Sequence, residues 1–269
     1  MKFRAALFAC LFSFTIRADQ PIFNEMPRWS DGWGFQWVYE HRYDPHLLTD
    51  GEIVGRDFEE DVHILHLEGV YTWKRWIRMT AKIPYVLDAR REIFGQAGEK
   101  LVQHDEGLGD ILLALPLKKY FNLDGRSGSW TVAPQVNIPM PRNDAYAIFD
   151  NNWGNALSLG YETETYKWHF GAGVTGFLFY EGDEAELHAN LDLGRNIQGF
   201  GSAGHIKWET DLMAEDDGTL TILSGPAFHW KITDTVHARM DWKRDWFDRQ
   251  GGLDHGRGDT FRIGIGFVF

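Results

Sequence analysis

The chain has 269 residues, with 27 Lys and Arg against 39 Asp and Glu, a formal net charge of -12. That acidic balance excludes a nucleic-acid binder, which needs basic patches for phosphate. Mean hydropathy is -0.36, and beyond the amino terminus no stretch approaches the roughly 20 apolar residues of a membrane helix, a test that barrel strands escape because alternation averages their hydropathy away.

The chain opens on "MKFRAALFACLFSFTIRADQ". Lys2 and Arg4 supply a positive region, Ala5 to Ile16 an apolar core, and Ile16 and Ala18 suit the positions before a cleavage site. A signal peptide over 1–18, a periplasmic stretch over 19–30 and a barrel over 31–269 are expected. A lipid-anchor reading of "LFAC" fails on its short upstream apolar stretch. Cys10 is the only cysteine, so the mature chain has no disulfide and no thiolate chemistry.

From about residue 32 onward the pattern has period two. In "GWGFQWVYEHRY", Trp33, Phe35, Trp37 and Tyr39 take one face, and Gln36, Val38, Glu40 and Arg42 the other. Eleven more segments follow, near 62–72, 76–86, 108–119, 130–139, 153–163, 167–180, 186–194, 202–212, 219–231, 235–244 and 260–269. In "GDILLALPLK" the apolar row is Ile111, Leu113, Leu115 and Leu117; in "HIKWETDL" Ile206 and Trp208 oppose Lys207, Glu209 and Asp211; in "VHARMDWK" Met240 and Trp242 oppose His237, Arg239, Asp241 and Lys243. A soluble sandwich would bury its inward row. Here that row is charged, and a wet lumen accommodates it without burying unpaired charge.

Twelve segments of about ten residues give an all-β, transmembrane, antiparallel up-and-down barrel in the bacterial outer membrane. The 15% aromatic content, including 12 Trp, fits interfacial girdles. With periplasmic termini, the outer connections fall at 43–61, 87–107, 140–152, 181–185, 213–218 and 245–259, and the inner ones at 73–75, 120–129, 164–166, 195–201 and 232–234. Pro84, Pro116, Pro134, Pro139 and Pro226 each remove a ladder donor, so bulges or strand ends are expected beside them.

The stretch "KIPYVLDARREIFG" followed by "HDEGLGDILLALPLKKYF" carries Pro84 and Tyr85 at a strand end, a long loop, then Gly107, Gly109 and Asp110. With "APQVNIPMPRND" and "NNWGNALSLGYE" after it, this resembles the outer-membrane transporter family named for the MetA-pathway of phenol degradation. Pro139 stands where that family has a Pro-x-Gly turn; the Gly is absent here. The resemblance covers about residues 60 to 200. It implies a β-barrel channel or transporter for small, hydrophobic or aromatic molecules, and brings no agreed functional residues.

Gly107-Leu108-Gly109-Asp110 lacks the third Gly and the helix of a nucleotide loop. The glycines read as a strand opening, with Asp110 either on the lumen row or capping a turn. Gln36, Glu40, Arg42, Arg239, Asp241, Lys243 and Arg262 form a charged belt where the last two strands meet the first. It either orients a solute, as pore rings do, or is a salt-bridge network filling a narrow barrel. His66, His169, His188, His205, His229 and His237 lie in strands, but Ser158 (inward) and Ser224 (outward) sit in no catalytic motif. No His-x-His or His-x-x-x-His pair suggests a metal, and no cofactor is expected. Acidic clusters at Glu181, Asp183, Glu184 and Glu186, and at Glu215, Asp216 and Asp217, either bind cations bridging lipopolysaccharide or are solvated.

The chain closes on "FRIGIGFVF". An open apolar edge of that kind templates aggregation, so this strand is expected to close the barrel against the first. Phe261, Phe267 and Phe269 then resemble the signal that the barrel-assembly machinery reads. The expected function is a non-enzymatic channel for a small solute, surrounded by outer-membrane lipid and lipopolysaccharide. A structural or adhesive barrel and a lipid-modifying enzyme are the alternatives.

Overall fold

The computed structural model describes residues 31–95, 98–140, 148–149, 151–180, 185–199 and 202–269. The expected signal peptide and periplasmic stretch lie outside them. The strands are β1 (Gly32–Thr49), β2 (Glu52–Lys74), β3 (Ile77–Phe94), β4 (Lys100–Leu108), β5 (Ile111–Ala114), β6 (Leu117–Leu123), β7 (Arg126–Ile138), β8 (Gly154–Glu164), β9 (Trp168–Phe179), β10 (Ala185–Gly199), β11 (Ser202–Glu215), β12 (Leu220–Lys231), β13 (Val236–Arg249), β14 (Asp254–Gly256) and β15 (Asp259–Val268). All pairings are antiparallel. β4, β5 and β6 are three stretches of one wall strand and β14 is a short appendage on β1, so twelve wall strands close the barrel among the described residues.

The seam is where the sequence predicts it. β15 pairs with β1 from Gly34↔Val268 to Tyr43↔Asp259, and with β13 on its other side. The last residue stays in the ladder: Phe269 N–H donates to the Trp33 carbonyl at 2.8 Å, and Trp33 N–H to the Phe269 carbonyl at 3.1 Å. Outward residues such as Trp37, Trp208, Met240 and Ile263 are 42–50% exposed, while inward Gln36, Arg262 and Asp241 are 0–2% exposed. The lipid row is bare because nothing in the protein covers it. Gly264 and Gly266 are small because their inward side is crowded: a Cβ on Gly264 would stand 2.9 Å from the Trp37 carbonyl oxygen, 3.0 Å from Cγ2 of Val38 and 3.2 Å from Cγ of Arg239, and one on Gly266 3.3 Å from Cβ of Gln36.

Three of the expected outer connections are too long. Residues 43–61 are not a loop: β1 and β2 continue as a hairpin closed by Asp50 and Gly51, with φ of 50° and 79°. Two left-handed residues match the Asp-Gly hairpin turn. In the same way β3 and β4 run into the expected 87–107 connection, and β13 and β14 into 245–259. Above the membrane the outward row no longer meets lipid, so alternation fades although pairing persists. The wall is therefore tall along β1 and β2, which has 23 residues, and low at β8, which has 11. Short turns at Arg75–Trp76 and Asp124–Gly125 mark the periplasmic end.

The prolines interrupt the ladder without flipping it. Pro116 separates β5 from β6, yet its carbonyl accepts from Arg78 N–H at 3.2 Å, and the pairings of β5 and β6 with β7 share one register. The β10–β11 ladder runs unshifted from Glu186↔Glu215 to Gly199↔Ser202.

Candidate functional site

The inward residues make two unlike walls. The first is charged. Asp241 of β13 accepts from Arg262 Nε of β15 at 2.7 Å and from Arg239 of its own strand at 3.1 Å. Two positions along, Lys243 reaches Asp211 at 2.5 Å and Glu209 at 2.9 Å on β11. His229 of β12 stands 3.8 Å from Glu209. Across the seam, Glu40 is held by Arg42 at 2.9 Å and by His66 of β2 at 3.2 Å, and Gln36 donates to Glu68. Period two places these groups on one face of every strand, and the antiparallel register sets opposite signs side by side. A dry pair of this kind holds only when its remaining polar atoms find partners, which explains the density of the network.

The second wall, from β3 to β10, faces a cavity of about 300 Å³ that Glu40 and Arg42 of β1 and His66 and Glu68 of β2 close from the seam side. Part of its lining is apolar: Leu112, Ala114, Pro116, Ala133 and Phe177. Charged groups are interleaved with them: Lys82 is the cross-strand partner of Leu112, Lys118 follows Pro116 on the same wall strand, and Arg42, Arg78, Glu40 and Glu68 join the lining. Lys118 donates to Glu162 at 3.1 Å, and Ser129 donates to the same carboxylate at 2.6 Å. Gln135 donates to Ser158, whose hydroxyl also meets that of Thr175. Ser158 is thus inward but bound to an amide and a hydroxyl, not an imidazole.

Phe149 lines the extracellular end of the cavity, with Ile148 beside it. They pack on the buried cluster Val62, Ile64, Val86 and Ala89. The Gly-Leu-Gly-Asp motif holds them there. It does not open a strand: Gly107 and Leu108 end β4, and Gly109 and Asp110 bridge to β5. Gly107 has φ of 114°, a backbone that disfavours side chains. Gly109 leaves room for a ring, since a Cβ there would lie 2.3 Å from Phe149. The Asp110 carboxylate accepts from Asn137 Nδ2, Met140 N–H and Asn151 N–H, each at 3.1 Å. It clamps both ends of the segment that delivers Phe149, and Asp105 accepts from Ile148 N–H at 3.1 Å.

The residues singled out in the sequence therefore fall into three places. Gln36, Glu40, Arg239, Asp241, Lys243 and Arg262 are buried in the charged wall. Arg42 is half-buried and reaches the cavity, where it meets Glu40. Asp110 points inward, but its carboxylate is taken up by the clamp. Sequence reasoning placed Glu209 and Asp211 on the charged row without joining them to the belt. Parity also puts Lys118 on the lumen row with Asp110 and Ala114, but nothing in the sequence joins it to Glu162 on another strand, and Phe149, which sits in a connection, was missed. Of the acidic clusters, Glu181, Asp183 and Glu184 lie outside the described residues. Glu186 meets His188 at 2.5 Å, and Asp217 caps its own turn by accepting from Thr219 N–H at 2.7 Å.

A family model described as "Putative MetA-pathway of phenol degradation" matches residues 49–263. Among solved structures, an outer membrane channel from Pseudomonas putida F1 is 17% identical, with a TM-score of 0.68, over 89% of this chain and 96% of that one. The β domain of the Bordetella autotransporter BrkA is 13% identical, with a TM-score of 0.46, over 89% of this chain and 100% of that one. No curated protein matches.

Proposed function

The chain belongs to the MetA-pathway of phenol degradation family, and from that membership and the two-sided lumen we propose that it is a passive, non-enzymatic channel for small molecules. It resides in the bacterial outer membrane, where its exposed aromatic and aliphatic row meets lipid. The observation that carries the reading is the cavity inside the barrel, lined by apolar and charged side chains in alternation, with Phe149 at its extracellular end. Such a lining suits a solute with an apolar body and a polar or ionised head, held weakly at several places so that it can leave. The channel function named for the Pseudomonas structure is consistent with this. In the same reading, outer-membrane lipid and lipopolysaccharide surround the barrel, and the row of Phe261, Phe267 and Phe269 is the signal for the assembly machinery.

Planar-bilayer recording tests the proposal. The purified protein should conduct, and Phe149→Ala should raise single-channel conductance by shortening the obstruction. Silence from both proteins at high salt, with folding verified by heat-modifiable mobility, would overturn the channel reading and favour a structural barrel.

A further inference from the structure

One cluster lies outside the lumen altogether. On the outer row of β1, Trp33, Phe35, Trp37 and Tyr39 are followed by His41; on the outer row of β2, Asp61 and His63 precede Leu65 and Leu67. The three polar residues therefore sit at the extracellular edge of the apolar band. His41 and His63 are cross-strand partners whose rings stack at 4.6 Å with 8° between planes. Nε2 of His41 is 2.7 Å from Asp61 Oδ1, and Nε2 of His63 is 3.4 Å from the same oxygen. All three donor atoms lie within 4.8 Å of one another.

We propose that His41, Asp61 and His63 form a zinc site on the outer surface of the barrel, with a fourth position open to water or a headgroup oxygen. Two imidazoles and a carboxylate are a donor set of open zinc sites, whose ligands stand roughly 3.4 Å apart around a tetrahedral ion. Small side-chain rotations bring the observed cluster to that spacing. Tyr39 supplies the supporting contact. Its hydroxyl lies 2.7 Å from Nδ1 of His63, which fixes the ring and leaves Nε2 toward Asp61, as partners of ligating imidazoles do. The charge arrangement points the same way. Among the described residues no Lys or Arg meets Asp61; only the two imidazoles do. One divalent ion would satisfy the carboxylate and both imidazole lone pairs. The side chains are 37%, 40% and 30% exposed, so an ion can reach them from outside. The histidines lie on different strands, which is why no spacing motif announces them.

The test uses the untagged full-length protein, folded in detergent and stripped with chelator, titrated with Co²⁺ alone and then with Zn²⁺. A single equivalent of cobalt should give the strong visible absorption of tetrahedral coordination, and zinc should displace it. His41→Ala and His63→Ala should abolish the band, and His104→Ala, an exposed histidine on β4, should leave it intact. Tyr39→Phe keeps every ligand and should weaken binding about 10- to 100-fold; it also serves if a histidine variant fails to fold. An octahedral spectrum, or equal cobalt uptake by the wild type and the His41→Ala/His63→Ala double variant, would overturn the proposal.

Discussion

The two walls of the lumen are built from the same alternating strands and end in opposite states. On the charged wall, Asp241 lies between two guanidinium groups and Lys243 between two carboxylates, and side chains fill the space. On the other wall, Leu112, Ala114, Pro116 and Ala133 are too short to meet anything opposite, and the cavity remains. The difference teaches that openness in a narrow barrel is decided by side-chain length and charge pairing on the inward row, not by strand number alone. It also divides the labour: one wall cross-links the strands beside the seam, the other offers a surface to a solute.

The sharpest way to break this comparison is to unpair the charged wall. Asp241→Ala leaves Arg239 and Arg262 buried without their shared carboxylate, a loss expected to cost about 3–5 kcal/mol. Gln135→Ala, on the cavity side, removes one hydrogen bond and should cost about 1 kcal/mol. Guanidinium unfolding in liposomes measures both, and equal costs would mean that the walls do not differ in this way.

A second pair compares the two faces of one strand. Leu115→Arg puts a charge on the lipid row, at about 2–4 kcal/mol near the midplane. Ala114→Arg points into the cavity and should be milder, because its neighbours Glu40 and Glu68 line the same space. Greater destabilisation by Ala114→Arg would show that the cavity is closed to added bulk.

The clamp can be sharpened next. Asp110→Asn keeps the shape of the side chain but weakens acceptance from Met140 and Asn151, by about 1–2 kcal/mol locally. It should raise the frequency of open-channel fluctuations in planar bilayers while leaving global unfolding near wild type. Unchanged current noise would detach Asp110 from Phe149.

The smallest effect concerns the part of the β1–β2 hairpin above the membrane. Burial raises Asp44 well above the usual carboxylate range, with Asp245 and Glu60 adding to it; burial also raises Asp248 and Asp254. The folded state then binds more protons than the unfolded one. Stability of this region is full below the ordinary Asp value and falls as pH rises through the folded values. Burial lowers His255, which acts in the opposite sense, losing stability as pH drops below about 6.5. Asp44→Asn removes the most strongly raised of these carboxyls: hydrogen-exchange protection of Leu47 and Leu48 should be less pH-dependent in the variant than in the wild type.

Much of this is legible in the sequence, and the gaps have physical causes. Where one face meets lipid and the other the lumen, period two is imposed on every strand, so Trp37 against Gln36 and Met240 against Asp241 read directly. Above the membrane that contrast vanishes, and the β1–β2 extension reads as a loop despite Asp50-Gly51. The direction of each side chain is available from parity, but its partner is not, because Arg262 and Asp241 meet through register and Lys118 and Glu162 through curvature. Phe149 lies in a connection whose two ends, Met140 and Asn151, are held by hydrogen bonds to Asp110, and no periodicity reports that.

The seam between β1 and β15 sets the order of events during folding. Its pairs join residues near the two ends of the described chain, Gly34 with Val268. Closing a loop of that length costs about 2 kcal/mol more chain entropy than closing a ~20-residue hairpin. The other wall pairings join neighbours in sequence and can form early; this one belongs at the end. Until then two strand edges stand open, and Arg262 lacks Glu40, the residue opposite it across the seam. The last ladder to zip is therefore also the one that brings the final carboxylate to the network, so that completion of the wall and neutralisation of its interior are a single event in time.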